Sequence, residues 1–501
     1  MTPQEKTAQF LSIASQFKLG HLVTEGFHPK TLNLSGLVKT DVGAALTLLQ
    51  AVDHDALDIM KSKEQVLWEL ATKVKETLDA GHKVFMCGCG ATGRLSLVLE
   101  TLYRQQFSTA ENVFSFMAGG DYALIKSVES FEDRVDYGER QLKDLGFGKH
   151  DLLIASTEGG ETPFVIGATN AATVISDRAP YFLYCNPDEL LMNIQRSKEV
   201  IQNPRIKKIN LTVGPMAISG STRMQASTVL MLAIGVGLLY RHETQKQFGN
   251  FYQDFLIKLN QVSYKEMAPL TLAEAKLYEV GKHLNYLADQ RLAISILTDT
   301  TERSPTFSLK GFENKLEASN HHSLSYLFLP DGETSGHAWS ELLYRSPRAL
   351  EWEELDGRIG ITKVLGFDIS GQGLKNRSSR TATENFSIDI IKGKTCFKCM
   401  AHEVIYDLGD EPLLNHLGVK MLLNAHSTLI MGLLGRYEGN VMTYVRPSNN
   451  KLIDRASRYI LQLLDQQGTH ASYEQVVEMI FEEIDNFEER PVVLKVLDRF
   501  K

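Results

Sequence analysis

The 501-residue sequence predicts an α/β fold of two doubly wound parallel-sheet units, with helices ahead of the first and a helical cap after the second. Three observations predict it. From residue 83 onward, short β-rich runs alternate with helical patterns, the signature of βαβ units with helices on both faces of a parallel sheet. A second cycle of alternation begins near Arg291, which makes a weak internal repeat. Each cycle closes on a long apolar helix, at 222–243 and again at 413–437.

The elements follow in chain order. The first 80 residues carry helical patterning, with loops around 26–29 and 33–36. Strands of the first cycle are expected at 83–87, 113–116, 152–156, 181–185 and 209–213. Those of the second are expected at 292–297, 324–329, 364–369 and 386–390. The helix 222–243 is apolar on several faces (Val229, Leu230, Met231, Leu232, Ile234, Val236), so it belongs inside a larger body. In 472–487, apolar residues recur at helical spacing and Pro491 ends the pattern. The expected division is a helical segment at 1–60, α/β units at 61–255 and 256–450, and a helical cap at 451–501.

Composition narrows the function. Apolar residues make up 43% and charged residues 23%, ordinary for a globular chain. The net charge of −8 disfavours a nucleic-acid-binding surface. Five cysteines cannot staple so long a chain, so reduced thiols are expected. The longest apolar run, 229–240, is too short to cross a bilayer. The opening MTPQEKTAQFLSIASQF lacks the apolar core of a signal peptide. The expectation is a cytoplasmic protein with neither a nucleic-acid nor a membrane partner.

Three loops carry chemistry. Strand 83–87 runs into GCGATGRL at 88–95, formally a G-x-G-x-x-G between a strand and a helix. A dinucleotide site also needs an acid about 20 residues on, at the end of the next strand. Here Asp121 arrives later, after Ala-Gly-Gly, so no nicotinamide cofactor is expected, nor any other. Glycines nevertheless let backbone approach an anion, and the helix offers free N–H groups at its start. Gly90 and Thr92 are the ligand candidates there. The second loop, TEGGETP at 157–163, supplies Thr157 and Glu161, and Pro163 suits a first helical turn. Its acids Glu158 and Glu161 make a poor phosphate cradle but can accept hydrogen bonds from sugar hydroxyls. The third loop, 214–223, supplies Ser221 and Thr222 and opens the apolar helix. Ligands of open α/β sheets bind beyond the carboxyl ends of the strands, so the three loops are expected to line one crevice.

GCGATGRL, AGGDYA followed by Glu132-Asp133, STEGGETPFVIGAT, CNPD and GSTRMQAST together resemble a sugar isomerase (SIS) domain. Within that superfamily the chain is similar to the N-acetylmuramic acid 6-phosphate etherases and to the glucokinase regulatory protein. Thr24-Glu25-Gly26, Gly439-Asn440, the run 448–452 and the run 471–475 fit as well. The resemblance implies two SIS-type units and a phosphorylated sugar as ligand. It matches ligand-binding hydroxyls to Thr92, Thr157, Ser221 and Thr222, an acid to Glu132 and a lysine to Lys451. The etherases use two glutamates as acid and base. One matches Glu132, whereas the other falls on Leu102, and Glu100 is about 200° away around a helix. Glu161 stands where the regulator has serine and the etherase arginine. The leading expectation is therefore a regulatory or sensing protein that binds a hexose 6-phosphate or amino-sugar phosphate, with a sugar kinase or other protein as partner. The alternative is a sugar-phosphate enzyme, an etherase-like lyase or aldose–ketose isomerase using Glu132 or Glu161.

The remaining candidates carry less. Cys396 and Cys399 form a CxxC with no second pair, so neither a metal site nor a redox site is expected. His321 and His322 read as a solvated turn, and His337 and His426 as satisfied core residues. The run 298–305 occupies the first loop's position in the second cycle but has no glycine, and is expected to support an interface.

Overall fold

Residues 84–88 are Val-Phe-Met-Cys-Gly, with no polar side chain to hold at a surface, and the strand they form is buried on both faces. In the computed structural model, residues 1–107, 111–128, 130–242, 244–317, 321–447, 449–484 and 490–500 are described. Glu129, Glu243, Ser448 and the 485–487 end of the expected 472–487 helix lie outside the described residues.

The first sheet has the order β2-β1-β3-β4-β5. Its strands are β1 (Val84–Gly88), β2 (Val113–Met117), β3 (Leu152–Ser156), β4 (Tyr181–Tyr184) and β5 (Lys207–Asn210), all parallel. Val84 pairs with Val113 on one side and Leu152 on the other, so the order reverses at β1. That places the ligand-binding switch point between the carboxyl ends of β1 and β3.

The second sheet is mixed, in the order β10-β9-β8-β6-β7. Strands β6 (His283–Ala288), β7 (Ser325–Phe328) and β8 (Thr383–Ile391) are parallel. Strands β9 (Lys394–Cys399) and β10 (His402–Tyr406) extend it as antiparallel neighbours. Lys392 and Gly393 both have positive φ, 52° and 75°, as a two-residue hairpin turn requires.

Two expected strands of this unit are corrected. Residues 292–297 lie in and just before the helix Ala293–Phe307, and most of 364–369 falls in the helix Ile361–Gly366 and its end. The first strand is instead His283–Ala288. Runs 298–305 and 293–297 therefore belong to one helix, buried from Ala293 to Arg303, not to a strand and its loop.

The helix Gln225–Leu239 is buried along its whole length. It packs against the helices Glu64–Asp79, Gly90–Gln106 and Pro412–Leu433. At Gly235 a Cβ would come within 2.7 Å of Leu413, which shows how closely the second unit's helix approaches. Buried charges border this seam. Asp299 bonds Arg223 at 3.0 Å and Arg303 at 2.8 Å. Glu274 holds Arg303 at 2.7 Å and His426 at 2.8 Å, so His426 is a satisfied core residue. His337, by contrast, is exposed on the helix Ser335–Leu343, with Glu341 beside it. His322 is held by Glu313 at 2.9 Å.

The cap comprises the helices Asn450–Gln466, Tyr473–Glu483 and Val492–Asp498. Its Ile453, Val477 and Phe481 cluster with Phe10 and Ala14 from the start of the chain. Among the described residues no helix is long and apolar enough to cross a membrane.

A fragment of residues 1–255 strips the 412–433 helix from the apolar helix it covers. We expect that fragment to show no cooperative calorimetric transition. A monomeric fragment that melts sharply would show that the second unit is dispensable to the first.

Candidate functional site

The glycines of GCGATGRL serve packing and geometry. A Cβ on Gly88 would lie 2.4 Å from the Thr92 backbone, and one on Gly93 would lie 2.4 Å from Met117, so the helix Gly90–Gln106 sits tight against β1 and β2. Gly90, at φ 50°, makes the turn between strand and helix. Thr92 Oγ1 accepts from the Cys89 N–H at 3.0 Å and donates to the Cys89 carbonyl at 2.8 Å. The hydroxyl is therefore used within its own loop, fully buried, while Gly90 and Ala91 face the crevice.

The second loop divides the same way. Thr157 Oγ1 is 2.9 Å from Thr162 Oγ1 and accepts from the Gly160 N–H at 3.3 Å, so it too holds its loop together. Thr92 and Thr157, expected as ligand hydroxyls, do not line the crevice, because each is committed to a local cap. Glu158 and Glu161 do line it. In the third loop Ser221 and Thr222 reach the crevice just before the helix Gln225–Leu239. The crevice, about 1330 Å³, also takes walls from the second unit and the cap.

Lys451 arrives from far along the chain. Asn449 caps the helix Asn450–Gln466 by accepting from the Leu452 N–H at 2.9 Å, which sets Lys451 in the first turn. Its Nζ lies 3.2 Å from Glu132 Oε1 and 3.0 Å from Glu161 Oε1. Glu161 also bonds Arg196. Burial alone would raise the Glu161 carboxyl, but Lys451 and Arg196 outweigh it and hold it down to about 2. Burial would lower Lys451, and Glu132 and Glu161 instead hold it well above the usual lysine value. Glu132 is 46% exposed, open to an incoming ligand. One turn on, Arg455 and Arg458 bind Glu25, which burial would raise and the two arginines bring down to about 2. The Asn186 side chain donates to Thr24 Oγ1 at 3.0 Å, so the 24–26 turn is fixed from two sides.

Of the sequence-predicted site residues, the structure gathers Gly90, Glu132, Glu161, Ser221, Thr222 and Lys451 at one crevice. Leu102 is fully buried in the core. Glu100 is turned away into Ser115, Arg104, Arg345 and Arg348. Sequence reasoning missed Arg94 and Glu302, which face each other at 3.9 Å and also line the crevice. Arg94 stood in the quoted GCGATGRL run, and the signal for Glu302 was a buried-helix pattern at 293–307 that reads equally well as a strand and loop. Cys396 and Cys399 lie three residues apart on β9, hence on opposite faces, and are free thiols. Among the described residues no group of three His, Cys, Asp or Glu is placed to hold a metal.

A carboxyl depressed in the folded state stabilises the fold above its unfolded value, and that stabilisation is lost as pH falls through the folded one. Glu161 and Glu25 drop from an ordinary 4.5 to about 2, so stability should decline as pH falls from about 4.5 toward 2. Glu161→Gln should flatten part of that decline in melting temperatures taken across this range. An unchanged slope would show that the Lys451–Glu161–Arg196 group does not stabilise the fold.

A family model described as "Glucokinase regulatory protein N-terminal SIS domain" matches residues 67–173. An N-acetylmuramic acid 6-phosphate etherase of Psychromonas ingrahamii is 30% identical over 241 residues, 47% of this chain and 74% of that protein. One of Trichodesmium erythraeum is 31% identical over 243 residues, 48% and 74% of the two chains. Among solved structures, the tagatose-6-phosphate ketose/aldose isomerase from Escherichia coli is similar at 11% identity and a TM-score of 0.45, with 82% of this chain and 98% of that one covered. The reach and identity of the etherase matches settle its kinship: the chain belongs to the SIS-domain family of the N-acetylmuramic acid 6-phosphate etherases.

Proposed function

We propose that the crevice binds a phosphorylated sugar, a hexose 6-phosphate or an amino-sugar phosphate, and that the protein acts on it as a lyase or isomerase. One observation carries the reading. Lys451, delivered by the cap, meets Glu132 and Glu161 of the first unit at the mouth of helix-opening loops. The lysine, the backbone turn at Gly90 and the Ser221 and Thr222 hydroxyls suit a phosphate. The carboxylates suit sugar hydroxyls and proton transfer. An incoming phosphate would draw Lys451 to itself, leaving Arg196 to balance Glu161 and freeing Glu132 for the sugar. The relatives named as etherases of a sugar 6-phosphate support turnover over the regulatory role first expected. A cytoplasmic setting belongs to the same reading, supported by five free cysteines.

Binding without turnover is the second reading. Leu102 favours it, since it is fully buried where the etherase pattern implies a second carboxylate. A sugar kinase or another protein would then be the partner.

Lys451→Ala tests the binding mode common to both. A hydrogen bond to a charged group contributes roughly 1.5–3 kcal/mol, about 10–150-fold in affinity. We expect a loss of that size for fructose 6-phosphate and much less for fructose, in calorimetric titrations at matched ionic strength. Equal losses for both sugars would make Lys451 a structural residue and leave the phosphate elsewhere.

A further inference from the structure

Glu158 is a carboxyl in the crevice wall for which the phosphate-binding geometry leaves no task. It is 9% exposed, and its Oε1 accepts a hydrogen bond from Ser227 Oγ at 3.1 Å. Glu161, three residues on, is bound by two cations, whereas Glu158 has no ion pair among the described residues. The titratable groups facing it are Cys89 of the glycine loop, Cys185 after β4, Glu302 of the helix Ala293–Phe307 and Lys451 of the cap. Cys89, at the start of the helix Gly90–Gln106, lines the same crevice as Glu132 and Glu158. Glu302 comes from the second unit and is 8% exposed, with Arg94 as its nearest cation at a loose 3.9 Å.

We propose that Glu158 is the second proton-transfer residue of the crevice, in place of the carboxylate that Leu102 replaces, and that Glu302 of the second unit is its positioning residue. The inference rests on the enzyme reading above. Burial, reinforced by the charge of Glu302, pushes the Glu158 carboxyl up to about 7 against its backbone hydrogen bond, Ser227 and Lys451. Glu158 is thus the proton donor, and Glu132, 3.2 Å from Lys451 Nζ, is the acceptor.

Neutral Glu158 gives its proton to a sugar carbonyl oxygen, and the Glu132 carboxylate that faces Lys451 takes one from the neighbouring carbon. The C–H pair becomes the C=C bond of an enol, and the carbonyl π pair becomes the new O–H bond. Glu158 ends as carboxylate and Glu132 as carboxylic acid, with no oxidant or reductant required.

Proton NMR in D₂O on fructose 6-phosphate, glucosamine 6-phosphate and N-acetylmuramic acid 6-phosphate reads the step as wash-out of carbon-bound hydrogen. Calorimetry reads binding separately. We expect wild type to exchange at least one of these sugars. Glu158→Gln should slow exchange by about 10²–10⁴-fold while sugar-phosphate binding remains measurable. Glu158→Asp, which keeps the carboxyl, should restore part of the rate. The reaction needs Glu158 protonated, so kcat/KM falls as pH rises through its pKa. Glu302→Gln removes the opposing charge and should move that alkaline limb to lower pH. Wild-type exchange persisting in Glu158→Gln, or loss of binding in that variant, would overturn the inference while the enzyme reading stands. Wild type that binds a sugar phosphate and exchanges none would overturn both. An unmoved limb in Glu302→Gln would remove Glu302 from the assignment.

Discussion

A helix with no polar face must be covered on every side, and the helix Gln225–Leu239 is such a helix. The first unit covers it with the helices Glu64–Asp79 and Gly90–Gln106, and the second unit with Pro412–Leu433. Close approach at Gly235 leaves no room for water between the two units there. Everything distinctive about the crevice follows from that packing. The loop that opens this helix carries Ser221 and Thr222 to the crevice, the helix Ala293–Phe307, packed on Pro412–Leu433, brings Glu302, and the chain beyond Pro412–Leu433 returns with Lys451.

The polar groups at the seam are arranged to survive burial. An uncompensated buried charge is costly, and removing one partner of a buried pair typically costs several kcal/mol. Here Arg223, Asp299, Arg303, Glu274 and His426 are joined in one bonded chain across the units. Lys420, which lacks a carboxylate partner in that chain, donates to the Arg223 and Met224 carbonyls and to Thr228. Such a network fixes the angle between units more firmly than apolar contact alone. Glu25 with Arg455 and Arg458 does the same for the cap, anchoring its first helix one turn from Lys451.

The first unit was legible because its strands are apolar runs bounded by glycine loops. The expected 152–156 is β3 to the residue, and only β5 lies a few residues earlier than expected, at Lys207–Asn210. The second unit was not, for a physical reason. LAISIL at 292–297 alternates β-branched residues as a strand would, yet it is the start of a helix buried on all faces, and short apolar runs do not distinguish the two. The true strand, HLNYLA at 283–288, carries polar residues and looks weaker. At the site, the residue types and their loops were readable, but side-chain direction was not. Thr92 and Thr157 turn inward because a threonine beside a helix start satisfies the local backbone first. Glu302 was hidden because its helix belongs to the other unit.

The central claim is that residues from both ends of the chain close one phosphosugar site. A crystal structure of the full chain with fructose 6-phosphate or N-acetylmuramic acid 6-phosphate tests it most directly. The account predicts the phosphate within hydrogen-bond distance of Lys451 Nζ and the sugar against Glu132 and Glu158. A sugar phosphate seated away from Lys451, with the lysine still bridging Glu132 and Glu161, would contradict it.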